Sequence, residues 1–422
     1  MRAFYSLSIF FYGLVIRIAS LFNTKARLWM RGRKNLFAEL ESKIKSSSQP
    51  VVWFHCASLG EFEQGRPLLE EYKKRNPASR ILLTFFSPSG FEVRKNYSGA
   101  EIICYLPLDT KANAKRFIAL VNPSLVFFVK YEFWLNMLGE IRHKHIPHFL
   151  VSGIFRPDQI FFKSHGGIFR EALKGFSFLF TQEKNSVELL KSIGITNVVA
   201  AGDTRFDRVA DIAFAAKEIP LAKLFSETGE KVLVAGSSWP QDEVLLFPVI
   251  ATNIKQDWKL IVAPHELGEA HLASIENELE KNGIEKQLIM RFSNADEESI
   301  AGKKILLIDN IGMLSSLYHY GNIAYIGGGF GKSIHNTLEA AVYGIPVVFG
   351  PRFEKFNEAK ELIAVGGGFV ARDGEDLKNV LQNLLSDKNV REDAGMKAGK
   401  FVKENTGATK IILEKTESLI NR

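Results

Sequence analysis

From residue 50 onward the chain repeats one pattern: a short, wholly apolar run, then a longer amphipathic stretch. Val51–His55, Ile81–Phe85, Ile102–Tyr105, Leu125–Val129, Phe149–Val151, Phe178–Thr181 and Val198–Ala201 are such runs, separated by segments such as Glu63–Arg75 and Ala112–Val121. Runs this short and this uniformly apolar are strands buried on both faces, and strands alternating with helices make a parallel sheet with crossovers. The pattern breaks over Asp207–Glu230, which contains Pro220 and the polar end Ser226-Glu227-Thr228-Gly229-Glu230. It restarts with Val232–Ala235, Leu260–Ala263, Ile305–Ile308, Ile323–Ile326, Val347–Phe349 and Phe369–Ala371. The reading is two α/β domains, over 35–210 and 231–422, joined by a linker at 211–230, with helical, charged sequence from about Asp376. A length of 422 residues agrees, being too long for one ordinary core.

Charge divides along the same line. Residues 1–210 hold 30 Lys+Arg against 17 Asp+Glu, a balance of +13; residues 211–422 hold 24 against 30, a balance of −6. One half is suited to an anionic partner and the other is not, which argues against a single uniform binding surface. Cys56 and Cys104 both lie in apolar runs and cannot form a disulfide framework, as in a reducing compartment.

Residues 1–34 form a separate unit. Positions 3–16 carry no charge, Arg17 interrupts, and Ile18–Phe22 resume the apolar character before Lys25, Arg27, Arg31, Arg33 and Lys34. A full span wants about 20 apolar residues, so this one is marginal. A basic cluster stands where a signal peptide needs a small-residue cleavage site. The expectation is a membrane anchor, spanning or lying in the interface, with a basic flank held at anionic lipid and the body cytoplasmic.

Two familiar sites fail on inspection. Gly327-Gly328-Gly329-Phe330-Gly331-Lys332-Ser333 lacks the first glycine of a phosphate-binding P-loop, since position 326 is Ile. No Gly-x-Gly-x-x-Gly follows the first strand of either domain, which argues against a dinucleotide cofactor. His143, His145 and His148 crowd together without a Cys partner or an i,i+4 pair, and read as a turn rather than a metal site.

Other segments carry chemistry. His55-Cys56-Ala57-Ser58-Leu59-Gly60-Glu61 runs from a strand into a helix start, where small residues let a substrate approach free backbone N–H groups. Glu61 is either an acid/base group or a first-turn carboxylate favouring the helix dipole. Glu132, after Leu125–Val129, is a second carboxylate in an apolar setting. In the second half, Ala235-Gly236-Ser237-Ser238-Trp239, Asn310-Ile311-Gly312-Met313-Leu314 and the Gly327–Gly329 turn each follow a strand and offer backbone donors. Glu339, four residues after His335, is expected on the same helix face, where a carboxylate suits ribose hydroxyls.

With these residues in view the chain resembles the 3-deoxy-D-manno-octulosonic acid (Kdo) transferases of lipopolysaccharide synthesis, from the N-terminal anchor to about residue 375. The likeness rests on His55–Glu61, Tyr105-Leu106-Pro107-Leu108-Asp109, Glu132-Phe133-Trp134, Gly202-Asp203-Thr204-Arg205-Phe206-Asp207 and the Gly327–Gly350 block. It implies an α/β GT-B glycosyltransferase of two facing Rossmann-like domains, acceptor on the first and nucleotide-sugar on the second. It further implies CMP-Kdo as donor, a lipid A precursor as acceptor, no metal, no cofactor and no nucleic-acid partner, at the cytoplasmic face of a bacterial inner membrane. By the same resemblance Glu61 is the catalytic base and Glu132 a second functional glutamate, with Ser58, Gly60 and Arg205 on the acceptor or Kdo side. Ser237, His265, Gly312, Met313, Leu314, His335, Asn336 and Glu339 are implied on the donor side. The chain departs from the family at Lys130, where many members carry Glu, and at Ser152-Gly153-Ile154, where Asn-Ala-Arg is usual and Arg156 supplies the nearby charge. A silent membrane-bound nucleotide-sugar sensor and a GT-B enzyme using another nucleotide-sugar are the alternatives.

Overall fold

The computed structural model describes residues 2–130, 133–227, 231–253 and 257–420. Two compact units account for it: Met1–Asp207 with Gly407–Arg422, and Arg208–Thr406. In the first, β1 (Val51–Cys56), β2 (Arg80–Phe85), β3 (Ile102–Tyr105), β4 (Leu125–Val129), β5 (His148–Gly153), β6 (Phe178–Thr181) and β7 (Val198–Ala200) form one sheet in the order β3-β2-β1-β4-β5-β6-β7. Every pairing is parallel. Alternate residues of β1 feed opposite faces, as the two-residue strand period requires. Val51 and Trp53 pack with Leu82, Phe117 and Leu138, whereas Val52 and Phe54 pack with Phe62, Leu68 and Ile412.

The second unit repeats the design. β8 (Lys231–Ser238), β9 (Trp258–Pro264), β10 (Ile289–Arg291), β11 (Ile305–Leu307), β12 (Ile323–Ile326), β13 (Val347–Phe349) and β14 (Gly368–Val370) run in the order β10-β11-β9-β8-β12-β13-β14, again all parallel. In the first unit the order reverses between β1 and β4; in the second β11 lies between β9 and β10, and the two halves of the sheet diverge between β8 and β12. Open α/β sheets bind ligands outside the carboxyl ends of the strands at that reversal. The residues after β1, β4, β8 and β12 are therefore the ones the topology singles out.

Two sequence expectations need correction here. The strand Ile289–Arg291 is not among the apolar runs, because its three residues are half-buried and form no such run. The C-terminal helix was assigned to the second domain, but Ala408–Ile420 belongs to the first unit. Ile412 and Leu413 are fully buried in its core, and Asp207 caps the helix start by accepting from the Gly407 and Thr409 amides at 2.5 and 2.7 Å. An amphipathic helix announces that it has a partner, not which one.

Four N-terminal helices are α1 (Arg2–Ala19), α2 (Thr24–Arg31), α3 (Leu36–Lys45) and α4 (Leu59–Arg75). Among the described residues no single helix is long and apolar enough to cross a membrane. Phe4–Ala19 and Thr24–Arg31 meet that test only together, and they are bent by 119°. One side of α1 is tied to the body of the first unit. Tyr5 Oη donates to Asp109 at 2.6 Å, Ile9 is buried, and Tyr12 packs on Trp29 and Phe86. The other side carries Phe4, Leu7, Phe11, Val15 and Ile18 in the open, with Phe22 exposed in the turn that follows.

Candidate active site

At the reversal of the first sheet, α4 starts directly over the end of β1. Gly65 allows the approach, since a Cβ there would lie 2.8 Å from Val129 Cγ2 and 3.2 Å from Cys56 Sγ. The helix opens with a capping box. Ser58 Oγ accepts the Glu61 amide at 3.5 Å, and Glu61 Oε2 accepts the amides of Ala57 and Ser58 at 2.5 and 3.2 Å. Glu61 thus fills the structural role of a first-turn carboxylate. Gly60 sits exposed in the first turn, and a Cβ there would meet nothing within 4 Å.

Beneath this turn lies a buried polar rod. Trp53 Nε1 donates to Thr84 Oγ1 at 2.8 Å, and His55 Nδ1 meets the same oxygen at 2.8 Å. Trp134 Nε1 donates to His55 Nε2 at 3.1 Å. An indole N–H can only donate, so His55 accepts at Nε2 and carries its hydrogen on Nδ1. Trp134 is thereby pinned to the end of β1. The second candidate glutamate, Glu132, lies outside the described residues. At the ends of β4 and β5, Lys130 and Ser152 both take left-handed backbone conformations, φ 62° and 57°. Two such non-glycine residues on neighbouring strands concentrate strain at this edge. Arg205 donates to Asp203 through Nε and Nη2, at 2.9 and 2.6 Å to Oδ2.

In the second unit a bulge at the end of β8 sets Ser237 at φ 54°, before the helix Pro240–Asn253. Asp242 in that helix's first turn joins the two sides of the reversal: Oδ2 accepts the Trp239 and Gly328 amides at 3.0 and 2.8 Å, and Oδ1 accepts Tyr325 Oη at 2.8 Å. The glycines after β12 let the backbones meet closely at this junction. A Cβ on Gly327 would lie 2.2 Å from the Ser237 carbonyl oxygen, and one on Gly329 2.6 Å from Gly350.

Three rings gather at this edge. Trp239 stacks on His265 with centroids 4.5 Å apart, and His265 lies 4.6 Å from His335. Trp239 Nε1 donates to His335 Nε2 at 3.2 Å, which leaves the hydrogen of His335 on Nδ1. Burial, reinforced by the neighbouring His265, lowers the His335 pKa. Sequence reasoning missed the role of Trp239; its partners are distant in the chain, and only the order of strands brings them together.

His335 does not share a helix face with Glu339, because the short helix begins at Leu338. Asn336 explains the late start: its Oδ1 accepts the Leu338 amide at 3.1 Å, and its Nδ2 donates to Glu339 Oε1 at 3.0 Å. Gly312 has φ 99° and opens onto the helix Leu314–Leu317, with Met313 as its N-cap. Ser237, His265, His335, Asn336, Glu339 and the 312–314 backbone are all gathered in one unit, whereas Ser58, Gly60, Glu61 and Arg205 belong to the other.

The sequence profile of the 3-deoxy-D-manno-octulosonic-acid transferase (kdotransferase) family matches residues 31–208. The 3-deoxy-D-manno-octulosonic acid transferase of Aquifex aeolicus is 31% identical over 345 residues, covering 80% of this chain and 87% of the relative. The chain belongs to the Kdo transferase family. Among solved structures, the UDP-GlcNAc 2-epimerase of Neisseria meningitidis bound to UDP-GlcNAc matches with a TM-score of 0.60 at 14% identity, over 87% of this chain and all of that one. MurG of Acinetobacter baumannii matches with a TM-score of 0.55 at 12% identity, over 87% and 99%. Identity this low speaks to fold alone, and the fold is GT-B.

Proposed function

We propose that the protein transfers Kdo from CMP-Kdo to a lipid A precursor, with Glu61 as general base. Family kinship spanning both units is the observation that carries this reading. In the step, a sugar hydroxyl of the acceptor attacks the anomeric carbon of Kdo, its proton passes to the Glu61 carboxylate, and the bond from that carbon to the CMP phosphate oxygen breaks. Fixed backbone bonds hold the carboxylate in one orientation before the acceptor arrives, which lowers the reorganisation needed in the transition state.

CMP departs as a phosphate monoester anion, whose charge calls for preorganised donors. The helix start at 312–314, the Ser237 turn and the Nδ1–H of His335 supply that type of group, with His265 beside it. Glu339, oriented by Asn336, suits the ribose hydroxyls. Ser58 and Gly60 leave room for the acceptor, and Arg205 offers positive charge to the Kdo carboxylate or an acceptor phosphate.

Membrane attachment belongs to the same reading. The exposed side of α1 and the exposed basic residues Lys25, Arg27, Arg31 and Lys34 after it suit a helix lying in the interface of an anionic bilayer, as at the cytoplasmic face of an inner membrane. Incubation with CMP-Kdo and lipid A precursor, followed by mass spectrometry, tests the function. The expected product is acceptor heavier by Kdo; donor binding without any product would instead support the silent sensor.

A further inference from the structure

Between α1, α2 and the Pro107–Leu108 segment runs a groove of about 770 Å³. Leu14, Met30, Phe37 and Leu108 are among its walls, and Arg17, Arg31 and Lys34 stand on its rim. All three rim cations are exposed. None has an acidic partner among the described residues. The groove is also continuous with the open apolar side of α1, because Leu14 belongs to both and is 45% exposed.

A second relation ties the groove to the candidate active site. Arg33, in the groove lining, donates to the carbonyl oxygens of Leu106, Trp29 and Phe86 at 2.8, 3.1 and 2.9 Å, fixing α2 to the ends of β2 and β3. Trp29 packs edge-on against Phe86 at 5.7 Å, Phe86 lies 4.4 Å from Trp134, and Trp134 bonds His55 on β1. The groove therefore lies at the same edge of the same sheet as the Ser58–Glu61 turn, linked to it through this chain of rings and through the Ser87 amide, which donates to the Ala57 carbonyl at 2.8 Å.

We infer that this groove is the subsite for one acyl chain of the acceptor lipid, with the rim cations taking its sugar phosphate. Apolar walls beneath unpaired positive charge complement an acyl chain attached to a phosphorylated sugar, since each buried methylene adds affinity and the phosphate meets charge-assisted donors. An ordinary bilayer phospholipid would satisfy the walls equally, but the position beside the Glu61 turn favours the molecule that must present a hydroxyl there. This inference rests on the transfer reading above.

The test compares kcat/KM for acylated and deacylated forms of a bisphosphorylated glucosamine disaccharide, both dispersed in detergent, with CMP-Kdo as donor. Met30→Trp fills the groove, and Leu14→Asp places a charge on its exposed wall. In each variant the preference for the acylated acceptor is expected to fall at least tenfold, through KM rather than kcat. Should Met30→Trp fail to fold, the exposed Leu14→Asp decides alone. A preference unchanged in the folded variants overturns the groove while leaving transfer intact. Absence of Kdo addition to either acceptor by the unmodified protein overturns the transfer reading itself, and the groove with it.

Discussion

Ser58 and Glu61 hold each other: the Glu61 amide donates to Ser58 Oγ at 3.5 Å while Glu61 Oε2 accepts the Ser58 amide at 3.2 Å. One pair of residues both starts α4 and aims the carboxylate. Loss of an N-cap hydroxyl costs about 1 kcal/mol. Ser58→Ala is therefore expected to lower the unfolding free energy by roughly that amount in urea titrations, and to slow turnover by loosening Glu61, with CMP affinity unchanged.

Trp239→Phe should preserve the stack on His265 and remove the hydrogen bond to His335. A neutral hydrogen bond is worth about 1 kcal/mol, so CMP affinity by calorimetry is expected to fall by roughly fivefold to tenfold. An unchanged affinity would show that the orientation of His335 does not matter to the donor.

His148 makes acid stability measurable. It is buried, its Nδ1 donates to the Ile146 carbonyl at 2.9 Å, and burial chiefly, with Arg142 adding, lowers its pKa to about 4. Unfolding returns it to about 6.5. Between those values the unfolded chain binds the extra proton, so stability falls as pH drops from 6.5 to 4, by about 3 kcal/mol in total. Below pH 4 both states are protonated and this contribution to the slope vanishes. His148→Leu should flatten that acid limb in denaturation curves taken at intervals from pH 7 to pH 4.

Phe11 and Val15 lie on the open side of α1, at 53% and 60% exposure. Phe11→Glu with Val15→Glu is expected to cut co-sedimentation with anionic phospholipid vesicles at least tenfold without changing the melting temperature. Deleting the helix would be a poorer experiment, because Tyr5, Ile9 and Tyr12 are part of the folded unit.

How much was legible follows from what each signal encodes. Strands such as Leu125–Val129 stood out because a parallel strand covered on both faces must be apolar at every position. Ile289–Arg291 did not, being short and at the sheet edge. The Ser58–Glu61 turn was readable because a capping box is local in sequence. The ring stack of Trp239, His265 and His335 was not, since strand order alone joins those positions. The spacing of His335 and Glu339 misled for a related reason: an i,i+4 relation means a shared face only inside a helix, and Asn336 delays the helix to Leu338. The glycine run was rightly placed after a strand, but whether its open space faces a ligand or the Ser237 backbone is a tertiary fact.

The central claim is that Glu61 accepts the acceptor's proton, and Glu61→Gln tests it most directly. Glutamine retains the capping geometry and the shape of the side chain while removing the base. Turnover of CMP-Kdo and lipid A precursor, followed by mass spectrometry, is expected to fall by about 10²–10⁴-fold, with CMP affinity and melting temperature close to those of the unmodified protein. Turnover within a few-fold of normal in a folded Glu61→Gln protein would contradict the account and leave Glu61 as a helix cap alone.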